Sequence, residues 1–141
     1  MEAMLTNSTL ATESRRAKLK YRVGVALSAL PVMFLLFDSV IKLIKIAPVV
    51  ESFAQLGYPI SLAAGVGLLE LACIAFYLVP RTAVLGAILL TGFLGGAIST
   101  HLRVGDPFFS HVIFPVYVAL MVWGGLYLRD DTLRALLPFR K

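Results

Sequence analysis

From Ser61 to Val79 the chain reads SLAAGVGLLELACIAFYLV, an apolar run with one charge, Glu70, at its centre. At ~1.5 Å per residue, a helix of this length crosses a bilayer. A carboxylate at membrane mid-depth costs ~2.5–3.5 kcal/mol on insertion scales. Such a group turns away from lipid into a bundle or cavity, and by default it marks a functional site.

Three more apolar runs are long enough to span: about Val23 to Ile44, Thr82 to about His101, and about Val112 to Leu128. Over the 141 residues, 59% are hydrophobic and 15% charged, with a mean hydropathy of +0.87. A soluble domain of this size has too little interior to hide that much apolar surface. Only helices and closed barrels satisfy their own backbone inside a bilayer, and continuous runs of this length mean helices. The expected fold is all-α: an integral membrane, antiparallel four-helix bundle. Residues 1–20 form a polar and basic segment, 21–128 the membrane domain, and 129–141 a tail with a short amphipathic turn. Residues 1–14 lack strong periodicity and are expected to fray. The first run is long and no small-x-small cleavage site follows it, so it reads as a retained span rather than a signal peptide.

The cations set an expected orientation. Arg15, Arg16, Lys18, Lys20 and Arg22 precede the first span, Arg81 sits between the second and third, and Arg129, Arg134, Arg140 and Lys141 follow the fourth. The opposite side has Lys42, Lys45 and Arg103. That asymmetry predicts an inner-membrane, multi-pass protein with both termini in the cytoplasm. The formal charge of +5 then reflects topology, and no basic face with interleaved aromatics suggests a nucleic-acid partner. Between spans one and two, Pro48 to Gly57 reads as a short interfacial helix. Pro48 starts it, Gly57 stops it, and Val49, Val50, Phe53 and Leu56 share a face over the bundle. In the tail, Leu133, Leu136 and Leu137 are expected toward the lipid boundary, with Pro138 ending the turn.

The polar residues inside the spans are the candidate site. Asp38 and Lys42 lie four apart on one helix face and can pair, or Lys42 can snorkel outward as Lys45 does. Glu70 has no cation beside it in sequence, so it is neutral or partnered from another span. Its face continues through Gly67, Cys73 and Tyr77. His101 ends the third span on the outer side, and histidine can pass protons near neutral pH. His111 begins the fourth span and is the weaker candidate. Glu70 and His101 are the candidates for proton transfer. Asp38, Lys42, Glu70, His101 and Tyr77 are the candidates for binding a ligand. No metal-ligand spacing falls on one span, and Cys73, the single cysteine, has no partner for a disulfide or dithiol. No haem, flavin or iron–sulfur motif is visible, so no intrinsic cofactor is expected. The third span carries small residues at Ala87, Thr91, Gly95 and Ser99, with Gly92 and Gly96 forming a G-x-x-x-G. Such stripes serve close helix packing, a dimer face or the wall of a ligand cleft. Trp123, Tyr127 and Tyr77 read as interfacial anchors.

A first span ending F-L-L-F-D-S-V-I-K-L, a G-Y-P before the second, G-x-G-L-L-E-L within it, and a third ending G-A-I-S-T-H-L-R-x-G-D together resemble the DoxX-like family over residues 22 to 128. The resemblance implies four short spans. It also implies kinship with a small membrane subunit of a thiosulfate:quinone oxidoreductase and with membrane redox complexes of thiol and oxidative-stress defence. Glu70 and His101 fall on polar landmarks of that pattern, whereas Asp38 stands where a small residue is common. A distant likeness to vitamin K epoxide reductase does not extend to its chemistry, because this chain lacks the dithiol pair.

Two readings come first. One is a redox-associated membrane component that binds a quinone or other lipophilic small molecule in a polar pocket, with electrons from a redox partner protein. The other is a non-catalytic membrane anchor or assembly subunit of a larger complex; a homodimer is a further partner arrangement. An intramembrane acid–base enzyme on a lipophilic metabolite would use the same residues. A small transporter fits less well, since no inverted repeat is visible.

Overall fold

The computed structural model describes residues 1–137, apart from the side chains of residues 2–6. Pro138, Arg140 and Lys141, and with them the end of the expected tail, lie outside the described residues. Among the described residues every element is helical: α1 (Glu2–Ile44), α2 (Ala47–Gln55), a 3-10 turn (Ile60–Leu62), α3 (Ala63–Leu78), α4 (Ala83–Val104), a π turn (Phe108–Val112), α5 (Phe114–Arg129) and α6 (Asp131–Leu136). Among the described residues, four segments are long and apolar enough to cross a membrane: Asn7–Ile44, Ile60–Leu78, Ala83–Val104 and Phe108–Arg129. The chain is a multi-pass membrane protein built as a helical bundle, and its lipid-facing sides include Leu30, Met33, Leu68 and Leu120.

The helices form a ring in which α1 packs on α3 and α5, and α4 closes the ring between those two. Every neighbour is antiparallel. The core runs through Leu35, Ile74, Leu90, Val118, Val122 and Leu126, all essentially buried.

Three local outcomes differ from the sequence reading. Residues 2–20 continue α1 as helix rather than fraying. The segment has no Gly or Pro and is rich in Ala, Leu, Glu, Lys and Arg, which propagate a helix once the span has nucleated it. Leu133 is buried against the bundle core, while Leu136 and Leu137 are exposed. The Asp130 carboxylate caps α6 by accepting from Leu133 N at 2.9 Å, and so turns Leu133 inward. Tyr77 is wholly buried rather than an interfacial anchor. Its hydroxyl donates to the Val122 carbonyl at 2.8 Å and lies 2.9 Å from Ser28 Oγ, so it joins α3 to α5 and α1.

Gly86 decides how α3 and α4 meet at this end. A Cβ there would overlap the Phe76 and Tyr77 backbone, so only glycine permits the approach. Farther along α4, a Cβ at Gly92, Gly95 or Gly96 would meet nothing within 4 Å. The two helices therefore touch near the Tyr77 end and leave space toward the His101 end. The G-x-x-x-G is not a packing contact within the chain.

Candidate functional site

The space left by α3 and α4 is a cavity of about 950 Å³, bounded by all four long helices and roofed by α2. Ala47 and Pro48 open α2, as expected of Pro in a first turn. Val49 and Phe53 bury themselves with Ala63, while Val50 stays exposed. Gly57 follows with φ 71°, which glycine accepts without strain. Arg103, near the end of α4, bonds the Leu56 carbonyl and holds the roof to the bundle.

Lys42 is the charged centre of the cavity. Side chains on a helix point back toward its N-terminus, and Lys42 follows that direction down into the bundle instead of snorkelling outward. Its ammonium bonds the Asp38 carboxylate and reaches Glu70 Oε2 at 2.9 Å. The Phe93 ring centre lies 5.4 Å away on α4, a cation–π distance. Gly67 makes the approach possible, because a Cβ there would stand 3.0 Å from the Ser39 carbonyl and 3.2 Å from Lys42 Cβ.

Glu70 is fully buried and does not line the cavity. It stands behind Lys42, partnered from another span. Its Oε1 has no hydrogen-bond partner among the described residues. A buried, unsatisfied polar atom is costly and needs a reason. With all three groups ionised the Asp38–Lys42–Glu70 cluster carries one net negative charge, and a single proton neutralises it.

A second polar group lies at the mouth. His101 sits inside α4, three residues before its end, and its Nδ1 is 2.6 Å from Asp106 Oδ2. His111, read from sequence as the weaker histidine, is brought beside it, with ring centres 5.7 Å apart. Ser110 Oγ lies 2.8 Å from His111 Nδ1, and Tyr58 and Thr100 are joined at 3.3 Å. The spacing did carry a signal: residues 101 and 111 flank one short loop, so both had to lie at one end of the bundle. Among the described residues, no group of three His, Cys, Asp or Glu side chains is arranged for a metal ion.

Four of the five candidate ligand residues thus come together. Asp38, Lys42 and His101 line the cavity and Glu70 braces Lys42. Tyr77 does not. It lies two turns beyond Glu70, off the cavity, with its hydroxyl already engaged. Cys73, Ser110 and His111 line the cavity instead.

The profile of the DoxX-like family matches residues 26–125, the four-span body and its landmarks. The chain belongs to the DoxX-like family. No curated protein and no solved structure matches it. Within this DoxX-like bundle, the matched segment contains Asp38, Lys42, Glu70, His101 and the roof helix α2.

Proposed function

We propose that this DoxX-like protein is a redox-associated membrane component that binds a quinone or another lipophilic small molecule in its bundle cavity. The observation that carries this reading is Lys42: an ammonium, 15% exposed, opening onto an apolar cavity and anchored by two carboxylates. A polar head, such as a ring carbonyl, accepts a hydrogen bond from Lys42, and apolar walls take the rest of the molecule. Glu70 holds Lys42 in place, and His101, oriented by Asp106, exchanges protons with the aqueous phase at the mouth. Reduction of a quinone takes two electrons and two protons. The electrons come from a partner protein.

The same reading sets the protein in the inner membrane with both termini cytoplasmic, supported by the excess of Lys and Arg at the Tyr77 end of the bundle. The alternative role as an anchor or assembly subunit is favoured by one feature: α1 runs on well past the bundle, and residues 7–20 are exposed. Such a helix offers a partner a continuous surface.

Native mass spectrometry of protein released from its own membranes tests the choice. A small lipophile bound to wild type and lost in Lys42→Met and Glu70→Gln supports the binding reading. A stoichiometric partner protein retained in all three, with no lipophile in any, moves the conclusion to the anchor.

A further inference from the structure

The cavity is not closed toward the bilayer. Leu62 of the 3-10 turn, Leu69 of α3, and Leu89, Gly92 and Gly96 of α4 line it and are also exposed on the outside of the bundle. Leu62 is 48%, Leu69 57% and Leu89 38% exposed. Leu69, and Leu62 just before α3, lie off the face that Gly67 and Glu70 turn to α1, and they line the cavity together with α4 residues. On α4, Leu89 and Gly96 lie seven apart on the side turned to α3, as Gly86 does where it meets Tyr77. These residues therefore border one cleft between the two helices. At its inner end stands the Lys42 ammonium, over the Phe93 ring.

In a membrane, hydrocarbon chains press against this cleft. Its floor at Gly92 and Gly96 has no side chain, and a Cβ on either would meet nothing within 4 Å. Glycine in mid-helix costs ~1 kcal/mol relative to alanine, and here no close helix packing offsets that cost. The bare groove has a use if something outside the chain lies in it.

We propose that the α3–α4 cleft is the lateral entrance of the cavity. Through it a lipophile with an oxygen-bearing head and a long hydrocarbon chain enters from the bilayer, with its chain lying over Gly92 and Gly96 and its head at Lys42. This rests on the binding reading above and adds the class of ligand: a chain-bearing amphiphile rather than a compact metabolite from the aqueous side. The mouth at His101 then passes protons and water, not the ligand.

The test uses the full chain in lipid nanodiscs, with empty nanodiscs as the blank. Two probes with one head group are compared: a dimethoxy-methyl-benzoquinone without a chain, and its decyl derivative. Gly96→Leu and Gly92→Leu place a side chain in the groove from positions where a Cβ meets nothing within 4 Å. Gly65→Leu, also in open space but off the cavity, is the control. Loss of the chain's bed is expected to weaken the decyl probe ~10-fold or more in either groove variant, a change of ~1.4 kcal/mol. The chainless probe should change less than about twofold, and Gly65→Leu should leave both unchanged. Equal affinity of the decyl probe in wild type and both groove variants overturns the entrance. Equal weakening of both probes does so too, since that marks a distorted head site. If wild type binds neither probe above the blank, the quinone reading itself fails, and the entrance falls with it.

Discussion

Lys42 Nζ lies 2.9 Å from Glu70 Oε2, which joins α1 to α3 across the bundle although 28 residues separate them in the chain. Asp38 holds the same ammonium from its own helix. Removing one partner from a buried pair leaves a charge without compensation, at a cost of ~3–5 kcal/mol. Lys42→Met leaves two carboxylates facing each other, so it should lower the melting temperature in detergent sharply. The double variant Lys42→Met with Glu70→Leu should recover part of that loss. Strict additivity of the two single effects would show that the contact contributes nothing.

The glycines of α4 divide by position. Gly86→Ala drives a Cβ into the backbone of Tyr77 and should prevent close α3–α4 packing, visible as loss of folded protein on size-exclusion chromatography. Gly92→Ala should be stabilised by ~0.4–1 kcal/mol, because the unfolded chain loses freedom and nothing is displaced. Similar melting shifts for both would contradict the splayed arrangement.

Tyr77→Phe removes the hydroxyl that bonds the Val122 carbonyl and lies beside Ser28 Oγ. The Val122 carbonyl keeps its helical partner within α5, so the loss is that of one buried hydrogen bond, ~0.5–1.5 kcal/mol. Stability should fall by that order, while binding at Lys42 stays unchanged because Tyr77 is off the cavity. A binding defect in a well-folded Tyr77→Phe would return this residue to the site.

The orientation is checked by labelling single cysteines in a Cys73→Ser background with a membrane-impermeant maleimide. Ser110→Cys should label in intact cells, and Asn7→Cys only after the membrane is opened. The opposite pattern would invert the proposed topology, and the direction of proton exchange at His101 with it.

Asp130→Ala removes the cap that accepts from Leu133 N. The loss is expected to be ~1 kcal/mol. The sign to look for is faster hydrogen exchange in α6 alone, because Leu133 would leave its place on the core. No change in α6 exchange would mean that Leu133 docks without the cap.

The spans were legible because bilayer thickness and the need to satisfy every backbone group leave little choice to an apolar run of that length. The Asp38–Lys42 pair was legible for a similar reason, since helix geometry alone sets residues four apart side by side. Local pattern also pointed to α2, through Pro48, Gly57 and the apolar face between them. Other features depended on distances between helices, which no single helix encodes. Lys42 could have snorkelled to the surface. It turns inward because α3 presents Glu70 at the depth its side chain reaches, and Gly67 lets the two helices come close enough. Tyr77 and Glu70 share a helix face, yet the hydroxyl of one is consumed by α1 and α5 and the carboxylate of the other braces the cavity. The glycines of α4 look alike in sequence. Gly86 meets a backbone and Gly92 meets open space only because α3 and α4 touch at one end and part toward the other. Sequence by itself therefore determined the number of spans, their helical state and the local pairing on α1. Tertiary packing decided which polar groups meet, where the cavity opens and which small residues pack, because each follows from how close two helices lie at a given depth.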